Sequence, residues 1–121
     1  MMIEELRDRC AVWQQRLRLQ DWDVSVEFKR LVDLERNTRA AECEYMWILK
    51  VAKISLVDPV DASHTSHWLK QVDQEKSLVH ELLHLHFAPF QAAKDSDAEA
   101  DQELAIEMIA EALVALDRKA S

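Results

Sequence analysis

The chain has 121 residues, 49% of them hydrophobic and 31% charged, with a formal net charge of −8. That is apolar material for one core in a single domain over residues 1–121, and no stretch approaches the roughly 18 consecutive apolar residues of a membrane span. With 15 Lys and Arg against 23 acids, the composition argues against a phosphate-tracking basic surface, and the lack of any glycine excludes every glycine-rich phosphate loop, so neither nucleic acid nor a membrane is an expected partner.

The opening MMIEELRDRC is charged and lacks an apolar signal core, which sets the expectation of a cytoplasmic protein. Ile3, Leu6, Cys10, Trp13 and Leu17 recur at spacings of three and four. This predicts an amphipathic helix over 3–19. In DWDVSVEF, Trp22, Val24, Val26 and Phe28 alternate with Asp23, Ser25 and Glu27, the pattern of a half-buried strand. The charged stretch 29–39 reads as a loop. Residues 40–48 alternate again, with Ala41, Cys43, Tyr45 and Trp47 on one side, and 51–57 set Ala52, Ile54 and Leu56 opposite Lys53 and Ser55. Both predict strands. DPVDAS ends the strand region, because Pro59 cannot donate to a ladder.

A further helix is expected from near His67 to about Phe87, with Thr65 or Ser66 as its cap and Pro89 as its stop. Leu69, Val72, Lys76, Val79 and Leu83 line one of its faces. A last helix is predicted over about 97–118, with Ala98, Ala105, Ile106, Ile109, Ala112, Leu113 and Leu116 inward. Helix, three strands, helix, helix is an α+β order. Cys10 and Cys43 belong to no CxxC pair and read as reduced core thiols. Trp13, Trp22, Trp47 and Trp68 fall on or beside apolar faces and are expected in the core.

The chemistry concentrates in SLVHELLHLHF, residues 77–87. His80 and His84 are one helical turn apart, so both imidazoles leave the same face and can reach one ion at the about 2.0–2.1 Å that zinc prefers. Glu81 is one step round the helix, poorly placed as a ligand and well placed to take the proton of an activated water. At this composition chance supplies about 0.02 HExxH patterns per chain, and this one lies in a helix predicted on other grounds. His86 sits about 200° from His84 and cannot share their ion. His64 and His67 are expected to cap or to be solvated.

The segment HELLH, inside an apolar helix that follows three strands, resembles the zincin metallopeptidases. DWDVSVEF, VHELLHLHFAPF and a Glu-rich closing helix are together similar to small zincin-like proteins of phages and prophages. The resemblance implies a minimal zincin-like fold, a zinc ion and hydrolysis of peptide bonds in a peptide or protein substrate held extended along an edge strand, here 40–48 or 51–57. The metzincin extension would need Gly at 87 and His at 90, where this chain has Phe87 and Phe90, so the gluzincin branch fits better. Tyr45 is a candidate to polarise the substrate carbonyl. The alternative, from a different class, is a non-catalytic zincin-fold binding or accessory protein of a phage or mobile element. A third reading is a metal-free helical scaffold with a chance motif.

Two histidines and a water leave a tetrahedral zinc one ligand short. With Ile109 as the centre of the buried face and 100° per residue, Glu99 lies about 80° off, Glu103 about 120°, and Glu107 and Glu111 about 160°. Glu103 stands 19 residues beyond His84, similar to the gluzincin spacing. The expected order for the third ligand is therefore Glu103, then Glu107, then Glu99.

Overall fold

A computed structural model of the chain describes residues 1–35, 40–62 and 72–120. The order is α1 (Ile3–Arg16), β1 (Asp23–Lys29), a 3-10 turn (Leu31–Asp33), β2 (Ala41–Met46), β3 (Val51–Val57), α2 (Pro59–Ala62), α3 (Gln74–Phe87), a second 3-10 turn (Ala88–Phe90) and α4 (Asp97–Ala120). The protein is α+β, as the alternation of patterns predicts.

The three strands form one mixed sheet in the order β1-β3-β2, with β1 parallel and β2 antiparallel to β3. Strand 51–57 is therefore central, which removes it as a candidate substrate-holding edge and leaves β2. The register builds rows of apolar side chains across the sheet: Phe28, Leu56 and Ala41; Val26, Ile54 and Cys43; Val24, Ala52 and Tyr45. All lie on one face because side chains alternate with period two on every strand. The helices cover that face, and Leu6, Cys10, Trp13, Ile54, Leu78, Leu82, Ile106 and Ala110 share one core. The opposite face is polar: Ser55 donates to Glu27 at 2.9 Å, and Lys29 pairs with Glu42 at 3.0 Å.

α3 is buried on most sides, with Leu78, Val79, Leu82, Leu83 and Leu85 all in the core, as an apolar helix between layers requires. It begins later than expected. Val72 and Asp73 are not helical, and Asp73 caps the helix by accepting from the Lys76 amide at 3.1 Å. Asp competes with helix formation by binding backbone amides, which makes it a start rather than an interior residue. The proposed caps Thr65 and Ser66, with His64, His67, Trp68 and Leu69, lie outside the described residues. A second, smaller cluster joins Val72 to Leu34 and Val57.

Trp47 is not in the core. β2 ends at Met46, and the reversal 47–50 that follows leaves Trp47 49% exposed, alongside exposed Ile48 and Leu49. Strand alternation at 40–48 overran the turn by two residues. Trp13 and Trp22 are buried as expected. Lys50 in this reversal has φ 55°, and Arg18 (φ 62°) and Asp95 (φ 63°) are likewise left-handed. Arg18 closes α1: its amide bonds to the Gln15 carbonyl and the Leu19 amide to the Gln14 carbonyl. This is the Schellman arrangement, with arginine where glycine is usual.

The α4 face differs from the expected one by about one residue step. Its buried residues are Ile106, Ala110 and Val114. Ile109 is 41% and Leu116 63% exposed, and Ala98, Ala105 and Ala112 are exposed too. No helix among the described residues is long and apolar enough to cross a membrane.

Candidate metal centre

α3 carries His80 and His84 on the side turned to α4, opposite the leucines that anchor it in the core. Their rings are 5.1 Å apart between centroids. One nitrogen of each and one oxygen of Glu81 all lie within 4.8 Å of one another. From α4, Glu103 meets both imidazoles: its Oε2 is 3.0 Å from His80 Nε2 and its Oε1 is 2.8 Å from His84 Nε2. The two histidines are nearly buried, whereas the Glu103 side chain is 42% exposed. Two imidazoles and a carboxylate thus converge from two helices, a donor set that suits a divalent metal ion.

Electrostatics bind this group together. Burial opposes charge on His80, but the hydrogen bond it donates to Glu103 and the charges of Glu81, Glu103 and Glu107 outweigh it and hold the imidazole pKa above its ordinary value. Glu103 is held far below the usual carboxylate range, first by its hydrogen bonds with His80 and His84. Both shifts share a cause: the Glu103 carboxylate and the His80 imidazole each favour the charged form of the other.

Glu103 lies where the ligand ranking expected it, on a flank shared with Ile106 and Ala110, except that this flank is the centre of the buried face. Glu107 follows it one turn on. Its Oε1 lies 3.8 Å from His80 Nδ1 and 3.7 Å from Lys76 Nζ, so it is not on the far side of the helix, as the phase centred on Ile109 placed it. Glu99 is occupied elsewhere. Its carboxylate accepts from the Asp95 amide at 3.0 Å while its own amide donates to Ser96 Oγ at 3.1 Å. Ser96 thus caps the start of α4, and Glu99 reaches back to the amide one residue before that cap, a variant of the capping box whose Ser96-x-x-Glu99 spacing is visible in the sequence.

His86 points away from the pair and donates from Nε2 to the Leu17 carbonyl at 2.6 Å, satisfying a terminal acceptor of α1. The Tyr45 hydroxyl donates to Gln91 Oε1 at 3.4 Å, and its ring packs edge-on to Trp22. Cys10 and Cys43 are free thiols. Burial pushes Cys10 up to about 11. Burial, and then the charge of Glu81, push Cys43 upward as well. Neither thiol is poised as a nucleophile.

A cleft of about 510 Å³ opens beside His80, Glu81 and Glu103. His80, Glu81 and Ser77 line it from α3, Glu103 and Glu99 from α4, and Ala41 from the start of β2. The Val57 amide donates to the Ala40 carbonyl at 2.8 Å. By antiparallel alternation, the backbone groups of Ala41, Cys43 and Tyr45 then face away from β3, along an edge that no strand among the described residues pairs with. Compared with known proteins, the chain matches no family model, no curated protein and no solved structure.

Proposed function

We propose that this chain is a zinc-dependent hydrolase of the zincin type, gluzincin-like, that cleaves peptide bonds. The observation that carries the reading is Glu103, which approaches both Nε2 atoms of an HExxH pair from a second helix. In the proposed site His80, His84 and Glu103 hold the ion. When bound, the ion supplies Lewis acidity, which acidifies a water and polarises a carbonyl.

The chain's own residues do the rest. Glu81 is buried at the floor of the cleft, where its carboxylate takes the proton of the attacking water and returns it to the leaving amine. The outward backbone of β2 pairs with an extended peptide, as an edge strand accepts an added strand. Ala41 keeps the first of these positions uncrowded at the cleft mouth. Helix α4 fixes Glu103 by burying Ile106 and Ala110 on the same face.

Metal analysis of protein purified without chelator is expected to return about one zinc per chain. Glu81→Gln is expected to keep that zinc and lose most cleavage of unstructured peptides, since an amide cannot accept the proton. Absence of zinc, with no thermal shift on adding it, overturns the metal assignment. Loss of metal in Glu81→Gln overturns the role of Glu81. A parent that holds zinc and binds peptides without cleaving any of them leaves a binding module in place of an enzyme.

A further inference from the structure

Helix α4 is apolar on two sides. Its inward face carries Ile106, Ala110 and Val114. On the opposite side Leu104 is 64%, Met108 59%, Ile109 41% and Leu116 63% exposed. At 100° per residue the centre of this outer stripe lies about 170° from the inward face that carries Glu103. Burial of one side therefore does not account for the apolar residues on the other.

The outer stripe has an internal order. Asp101, Ala105, Met108, Ala112, Ala115 and Lys119 are all exposed and follow one another at spacings of four, three, four, three and four. This is the seam of a coiled coil, spread over about 27 Å of helix. The seam is also symmetric about Ala110. Asp101 and Lys119 are equidistant from that residue, as are Ala105 and Ala115, Met108 and Ala112. Leu104 and Leu116 obey the same relation on the flanks.

We propose that α4 pairs antiparallel with α4 of a second copy of this chain through this seam. A two-fold axis crossing the seam at the level of Ala110, between Met108 and Ala112, sets each small residue against a partner of the seam and lets the helices approach closely. It also sets Asp101 of each copy opposite Lys119 of the other, closing the seam at both ends with opposite charges. Neither residue makes an ion pair among the described residues. A parallel pair would instead put Asp101 beside Asp101 and Lys119 beside Lys119. Because the seam lies opposite Glu103, the pairing leaves the cleft open, and it holds whatever the cleft does.

Light scattering on the full chain, with and without chelator, is expected to give a mass that rises to twice that of the chain as concentration increases. Met108→Glu places charge in the seam and is expected to give a monomer with unchanged helical circular dichroism, and with unchanged melting at concentrations where the parent is itself monomeric. Asp101→Lys and Lys119→Asp are each expected to weaken the dimer by about tenfold, because attraction becomes repulsion at both ends. The double variant Asp101→Lys with Lys119→Asp is expected to restore it. A parent that remains monomeric up to about 1 mM overturns the proposal, as do single charge swaps that leave the dimer intact or a double swap that fails to rescue it.

Discussion

At the scale of single residues, the candidate centre turns on which glutamate answers the two histidines. Glu103→Ala removes the carboxylate that touches both Nε2 atoms and is expected to lower zinc affinity by at least about tenfold. Glu99→Ala keeps the Ser96 cap and loses only the bond from the Asp95 amide, so it is expected to leave affinity unchanged while costing about 1 kcal/mol of stability. Titration calorimetry of the two variants beside Glu107→Ala separates these roles, and an unaltered affinity in Glu103→Ala refutes the ligand set. Proton and metal compete for the same imidazole nitrogen. Since Glu103 and its neighbours hold the His80 pKa above its ordinary value, affinity is expected to fall as the pH drops through that raised value, read from zinc titrations over a pH series. His80, Glu81 and His84 were legible from spacing alone, because an i,i+4 pair has one geometry on any helix. Glu103 was legible only as the first of three candidates. Its position depends on how α4 is rotated, and α4 is apolar on two sides, so its composition does not say which side is inward. The capping signature Ser96-x-x-Glu99 could have removed one rival.

At the scale of elements, the start of α3 is the most consequential boundary. Asp73 caps it and also accepts a two-pronged ion pair from Arg118 near the end of α4, at 2.6 and 3.0 Å. Beside it, Glu75 accepts from Trp13 Nε1 at 2.7 Å and from Arg9, and Arg9 reaches Asp117 at 3.1 Å. Three helices are thus tied at one end of the bundle, at the N-terminus of the helix that carries the histidines. Asp73→Asn keeps a competent cap and loses the ion pair; Asp73→Ala loses both. The alanine variant is expected to be less stable than the asparagine variant by about 1 kcal/mol, read from denaturant midpoints. The Arg118 hydrogen bond, with the Lys76 amide, holds the Asp73 carboxyl below its ordinary 3.8. A carboxyl depressed in the folded state contributes stability that is complete above its unfolded value and fades as the pH falls through the folded one. The parent should therefore lose stability in acid more steeply than either variant. Strand positions were readable from alternation, yet the parallel pairing of β1 with β3 was not, because alternation reports which face is buried and is silent on neighbours. Trp47 shows the complementary failure: an alternating pattern continues through a turn whenever the turn residues happen to be apolar.

At the scale of the whole molecule, one helical layer on one face of a three-stranded sheet leaves Ile54 at the meeting point of both layers, fully buried. Ile54→Ala is expected to cost about 2–5 kcal/mol, a large share of the stability of a domain this size, visible as a drop in melting temperature. Arg18 and Asp95 hold left-handed backbone at two of the corners that join these layers, and the absence of glycine acts on both sides of the folding equilibrium. A non-glycine residue in that conformation costs about 1–2 kcal/mol, less for aspartate, whose short side chain tolerates it. Glycine would relieve the cost but widen the range of shapes open to the denatured chain, which costs about 0.4–1 kcal/mol. Arg18→Gly is therefore expected to stabilise the protein slightly, and Asp95→Gly to be close to neutral. A chain that turns without glycine has exchanged ease at its corners for a narrower denatured ensemble, so less disorder is surrendered when it folds.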